Sequence, residues 1–252
     1  MRAGGSIQGV ASRCASGQSR AVRAPVILLP GLLCDAALWR PQVEALAGEM
    51  AAGIADLTLD ETVADMAERV LAVAPPRFAL AGLSMGGYVA FEIMRRAPER
   101  VDRLALFATS AAPDTPEQSA ARKRYMESLK LGRFLGVGRK LLPRLVDRSH
   151  LHGPVGDTVR AMAERVGGEA FLRQQKAILT RPDSRPTLET IKVPTIVAVG
   201  DGDVLTPPAQ SRAIRDGIKG STLHVLPGCG HLPALERPER VIALMRDWLS
   251  GR

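Results

Sequence analysis

Two kinds of apolar pattern alternate along this chain. Apolar runs at residues 26–29, 78–81 and 193–200, and a run at 101–108 that alternates poorly, predict buried strands. Residues 221–226 predict a further strand, and residues 54–56 a short, weak one. Between them, apolar residues recur at the spacing of a helix face: Val63, Met66, Ala67, Val70 and Leu71, then Tyr88, Val89, Phe91, Ile93 and Met94, and last Val241, Leu244, Met245 and Trp248. Helices are also expected over residues 41–47, with Pro41 in the first turn, and over 208–214. Thr58-Leu-Asp-Glu61 has capping-box spacing ahead of the Val63 helix, which Pro75-Pro76 ends. Strand alternating with helix in this way predicts a parallel sheet with helices on both faces. The rhythm stops between Ser110 and about Pro186, where the chain is charged, helical and without a strong strand candidate. An inserted helical cap at about residues 111–186 is the expectation.

At 252 residues the chain suits one domain carrying a small insertion. No apolar run reaches the ~18 residues of a membrane helix, so a soluble protein with no membrane span is expected. The formal net charge of +8 is unevenly spread. Residues 1–24 hold Arg2, Arg13, Arg20 and Arg23 with no acid and no apolar stretch of a secretory signal. They read as a disordered basic leader, an extension or a start codon placed too far upstream, outside a folded domain at residues 25–252. A second basic cluster comprises Arg122, Lys123, Arg124, Lys130, Arg133, Arg139, Lys140, Arg144 and Arg148, against Glu127 and Asp147. It reads as a solvated face of the cap, with attraction of anionic substrates or surfaces as the alternative. Base-stacking aromatics and a nucleic-acid module are missing from the sequence, so no nucleic-acid partner is expected. Three widely spaced cysteines, Cys14, Cys34 and Cys229, fit a reducing, cytoplasmic setting rather than a disulfide framework. The sequence contains neither metal-ligand spacing nor a phosphate-cradling glycine loop, and no metal or cofactor is implied. Oligomeric state is not legible.

The chemistry gathers at Gly82-Leu83-Ser84-Met85-Gly86, a G-x-S-x-G between the strand at Phe78 and the helix opening at Tyr88. A serine on so sharp a turn has strained backbone, and glycines two residues to either side let strand and helix approach. Its hydroxyl needs a base. His231 lies in a glycine loop directly after the last predicted strand, at the carboxyl end where parallel sheets place function. His224 falls inside that strand and is expected to point into a layer, while His150 and His152 fall in the cap. The base in turn needs a carboxylate. Asp201 and Asp203 compete in the turn after Val199. Asp203, deeper in the turn, is chosen, and Asp201 is expected to shape the turn.

The order Ser84, Asp203, His231 resembles that of the α/β-hydrolase superfamily, as do the strand-elbow-helix at Ser84, the Gly-Asp-x-Asp turn and the Gly-His-x-Pro loop. That resemblance implies an α/β-hydrolase fold: a mostly parallel sheet with helices on both faces and the inserted cap. It also implies Leu32 and Met85 backbone N–H groups as oxyanion donors, with Pro30-Gly31 standing where the family usually has His-Gly. Trp39 is expected to pack the following loop against the core. Leu32, Leu33, Met85, Val204, Leu205 and Leu232 are expected to border Ser84, with Leu33, Leu205 and Leu232 binding substrate. Such a pocket favours a small or medium uncharged acyl group. The expected activity is hydrolysis of a small-molecule carboxylic ester through an acyl-enzyme. Lactone hydrolysis (as in enol-lactone hydrolases), carbon–carbon bond hydrolysis and acyl transfer by the same residues are alternatives, and a non-catalytic scaffold is a further one.

Overall fold

The computed structural model describes residues 24–130, 136–138 and 141–251. Six strands form one sheet: β1 (Ala24–Leu29), β2 (Met50–Ile54), β3 (Phe78–Leu83), β4 (Val101–Phe107), β5 (Thr195–Gly200) and β6 (Thr222–Leu226). Their order is β2-β1-β3-β4-β5-β6, and every pairing is parallel. The expected α/β architecture is thus realised. Of the proposed leader, only Ala24 is described, and it opens β1; residues 1–23 lie outside the described residues.

Side chains of the central strands alternate between two cores, as a strand's two-residue period requires. Val26, Leu28, Ala81, Leu83 and Phe107 face one side. There Val241, Met245 and Trp248 of α10 (Pro238–Ser250) cover them, and so does Trp39, which stands edge-on to Phe107 at 5.5 Å. Ile27, Leu29, Leu80, Leu104 and Leu106 face the other side. They meet α2 (Val63–Val73) and α3 (Met85–Arg96). The remaining helices are α1 (Arg40–Ala45), α4 (Pro116–Lys130), α5 (Leu142–Leu145), α6 (Pro154–Leu179), α7 (Arg185–Leu188), α8 (Pro208–Gly217) and α9 (Pro233–Glu236). Between β4 and β5 the described residues hold α4 to α7 and no strand. Gly167, at φ 75°, breaks α6 into two helical segments.

Three local expectations need correction. The weak strand at residues 54–56 is instead β2, Met50–Ile54: it is an edge strand whose Ala51, Ala52 and Gly53 are exposed, so it carries no apolar signature. Asp56 lies beyond it and accepts from Thr58 N–H and Oγ1. With Thr58 so engaged, the cap of α2 is Thr62, whose Oγ1 accepts from Asp65 N–H at 3.0 Å. His224 is half-buried on the outer strand β6, its Nε2 3.2 Å from Thr222 Oγ1, rather than enclosed in a layer. Burial and the charge of Arg240 push its pKa below the ordinary value.

Candidate active site

Ser84 sits on the turn joining β3 to α3 at φ 54°, ψ −114°, one of three described non-glycine residues with positive φ. Two glycines make the turn possible. A Cβ at Gly86 would stand 2.2 Å from the Leu29 carbonyl oxygen, and one at Gly82 would stand 2.5 Å from that of Gly86. The turn is then pinned by Ser84 N–H donating to Phe107 O (2.9 Å) and by Thr109 Oγ1 donating to Ser84 O (2.8 Å).

His231 Nε2 lies 2.9 Å from Ser84 Oγ, and His231 Nδ1 lies 2.8 Å from Asp203 Oδ2. Asp203 is buried, yet it accepts from Leu205 N–H, Thr206 N–H and Thr206 Oγ1 as well. Burial alone would raise its pKa. The charge of His231 and these hydrogen bonds outweigh burial and hold the carboxyl below its usual range. An ionised carboxylate can only accept, so Nδ1 carries the proton and Nε2 offers a lone pair to the Ser84 hydroxyl. A hydroxyl so placed can lose its proton as it attacks an electrophilic carbon.

The loops on either side are held from outside. Gly230 N–H and Leu232 N–H, which flank His231, both donate to the buried Glu236 carboxylate at 2.9 Å, and Asp147 N–H joins them at 2.6 Å. His231 N–H donates to Leu145 O at 3.0 Å. Asp201 does shape the turn: its Oδ1 accepts from Cys229 N–H at 3.2 Å. In the Pro30-Gly31 loop, Leu33 has φ 59° and its N–H donates to Gln174 Oε1 of α6 at 3.1 Å. The N–H groups of Leu32 and Met85 have no acceptor among the described residues.

Residues 26–244 match the Alpha/beta hydrolase family. The chain belongs to the alpha/beta hydrolase family. Among its relatives is a pimeloyl-[acyl-carrier protein] methyl ester esterase of Neisseria meningitidis, 32% identical over 182 residues and 68% of each chain. A thermophilic esterase from Thermogutta terrifontis superposes with TM-score 0.82 at 31% identity over 90% of both chains. The enol-lactonase of Burkholderia xenovorans does so with TM-score 0.80 at 25% identity, over 93% of this chain and 94% of its own. This alpha/beta hydrolase is a hydrolase of ester-like substrates.

In this hydrolase Leu32, Leu33, Ser84, Leu205, His231 and Leu232 line one cavity of about 230 Å³. Val204 borders it too, but is largely exposed. Met85 does not. As the first residue of α3 it turns its side chain into the core beneath the sheet, so only its N–H can serve the site. His150, 3.1 Å from Arg237 Nη1, and the exposed His152 lie outside the cavity lining. Cys34 and Cys229 are buried free thiols, and burial, followed by nearby Asp35, pushes Cys34 up to about 12. Cys14 lies outside the described residues. Among the described residues no group of three or more His, Cys, Asp or Glu converges as a metal site would require.

Three supporting residues escaped the sequence reading. Thr206 had a local signal, since a hydroxyl three residues after an aspartate can close on it. Glu236 and Gln174 had none, because their partners are backbone groups brought near only by the fold.

Proposed function

We propose that this protein is a serine carboxylic-ester hydrolase acting on a small or medium acyl group through an acyl-enzyme. The observation carrying this reading is the continuous hydrogen-bond chain from Ser84 Oγ through His231 to Asp203, open to a cavity. In the proposed reaction Ser84 Oγ attacks the acyl carbon while His231 Nε2 takes its proton. Asp203 keeps the imidazole in the required tautomer and stabilises the imidazolium. The negative charge on the former carbonyl oxygen is met by Leu32 and Met85 N–H groups. Collapse expels the alcohol, protonated by His231, and leaves the acyl group on Ser84. Water then attacks the acyl carbon while His231 Nε2 takes its proton, and His231 returns that proton to Ser84 Oγ as the acyl–oxygen bond breaks and the acid is released. Leu33, Leu205 and Leu232 would hold the acyl chain, and α4 to α6 would act as the cap that closes over it.

Ser84→Ala should lower turnover of a p-nitrophenyl acyl ester by at least ~10³-fold, with the fluorophosphonate label lost as well. Near wild-type turnover in that variant overturns the reading. Lactone hydrolysis stands as a second reading, favoured by likeness to the enol-lactonase along nearly the whole chain. The same attack then opens a ring, and a panel of acyl esters beside lactones separates the two by relative kcat/KM.

A further inference from the structure

The cavity above Ser84 is not apolar throughout. Among the described residues three arginines line it, Arg122, Arg144 and Arg181, against one acidic residue, Asp114. Asp114 is already spent. Its Oδ2 accepts from Arg122 Nε at 2.5 Å and its Oδ1 from Arg181 Nη2 at 2.9 Å. Arg181 is locked as well: its Nη groups also donate to Ile178 O and Ala112 O, and its guanidinium lies 4.2 Å over the Tyr88 ring. Only 6% of the Arg181 side chain is exposed, so it serves the wall rather than a ligand.

Arg122 differs. Its side chain keeps 22% of its surface. Nε is fixed by Asp114 and Nη1 by Gln175 Oε1 at 3.0 Å, which leaves Nη2 without an acceptor among the described residues. A guanidinium oriented in advance on two sides, with a donor to spare, is suited to a planar anion, because little side-chain entropy remains to be lost on binding. Arg144, exposed at the end of α5, adds positive potential over the same cavity. Leu33, Val137, Leu141, Val159 and Phe171 supply apolar wall between these polar groups, fit for methylenes. Among the described residues the basic cluster seen in the sequence divides, with Lys123 and Arg124 exposed outside the cavity lining and Arg122 and Arg144 on it, while Arg133, Arg139 and Lys140 lie outside the described residues.

We infer that the substrate carries an anionic group, in the simplest case a carboxylate, away from the scissile ester, and that Arg122 receives it. This rests on the esterase reading above and narrows its small or medium acyl group to an acidic one, in place of the uncharged group expected from the sequence. Monomethyl esters of linear dicarboxylic acids, each paired with the methyl ester of the monocarboxylic acid of equal length, test it on the full chain. For the best-fitting length, wild type should favour the half-ester by about tenfold or more in kcat/KM, chiefly through KM. Arg122→Gln should bring that ratio near unity, and Arg122→Lys should restore part of it. Added salt should raise KM for the half-ester of wild type and not for its neutral pair, which keeps the test decisive if Arg122→Gln fails to fold. Ser84-dependent turnover with no preference at any length, or a preference unmoved by both Arg122→Gln and salt, overturns the inference and leaves the esterase reading intact. Turnover that survives Ser84→Ala overturns the esterase reading itself.

Discussion

Gln174 is fully buried on α6 and spends both ends of its amide on backbone, Oε1 accepting from Leu33 N–H and Nε2 donating to Leu57 O, each at 3.1 Å. Leu33 needs holding. A branched residue at φ 59° carries roughly 1–2 kcal/mol of backbone strain that its surroundings must offset. The family resemblance raised a question here, because Pro30-Gly31 replaces the usual His-Gly and removes a side chain that could brace the loop. Here a glutamine 141 residues away braces the loop by accepting from Leu33 N–H. If Leu32 N–H receives the developing oxyanion, Gln174 is a positioning residue, since it sets the peptide next to that donor. Gln174→Leu should therefore lower kcat by about tenfold while moving KM far less, and should lower stability by about 2–4 kcal/mol through two orphaned backbone groups. Gln174→Glu keeps an acceptor for Leu33 N–H and should recover much of kcat. Steady-state kinetics beside thermal melts decide it: a folded Gln174→Leu enzyme with wild-type kcat refutes the positioning role.

The loop bearing His231 depends on α9 in the same way, through the one buried carboxylate of Glu236 that gathers the N–H groups of Gly230, Leu232 and Asp147. Two of these flank the imidazole, and the third belongs to the segment after α5, so a single side chain sets the height of His231 against both sheet and insertion. Glu236→Ala leaves three donors without their acceptor and frees the loop. Turnover should fall by about a hundredfold, with fluorophosphonate labelling of Ser84 slowed in parallel, and Glu236→Gln should retain more of both. Unchanged labelling in a folded Glu236→Ala protein contradicts this. Such supports explain what could be read from the chain and what could not. β1, β3, β4 and β5 were legible because the parts of a strand buried on both faces must be apolar, as Leu104 to Phe107 are in β4 beyond its exposed Asp102, and Ser84, Asp203 and His231 because each sits in a short motif at a strand's carboxyl end. β2 was misplaced because an edge strand of Ala and Gly has no such constraint, and the cap of α2 because two threonines compete and only the fold engages one elsewhere. Gln174 and Glu236 bond to main chain, which has no residue identity to match, so nothing in the sequence marks them.

Across the molecule, buried carboxylates tie the insertion and the sheet to hydrogen-bond donors, and their titration sets how the protein meets acid. Asp114, in the segment leaving β4, is held by Arg122 of α4 and by Arg181 beyond α6, while Asp203 is held by His231 and Thr206. In both, burial opposes ionisation, and the paired charges and hydrogen bonds overcome it to leave the pKa below the ordinary value. A depressed folded-state pKa means that the unfolded chain binds protons first. The stability these groups contribute is therefore complete above the unfolded value near pH 4 and disappears as pH falls through the lower folded one. Asp60 and Glu92 shift the same way, but Asp60 pairs with Arg69, which is half exposed, and such pairs contribute little. Protonation also strips negative charge from a chain with 34 Lys and Arg against 26 Asp and Glu, so repulsion grows as the pairs are lost. The melting temperature should hold steady from about pH 7 to about pH 5 and fall steeply below about pH 4. Asp114→Asn should melt lower than wild type at neutral pH, where its ion pairs are missing, and converge towards wild type in acid. Since Asp114 also orients Arg122, the same variant should lose preference for an anionic ester at neutral pH. Equal melting temperatures at neutral pH, or a constant difference at every pH, show that Asp114 is not a source of the acid sensitivity.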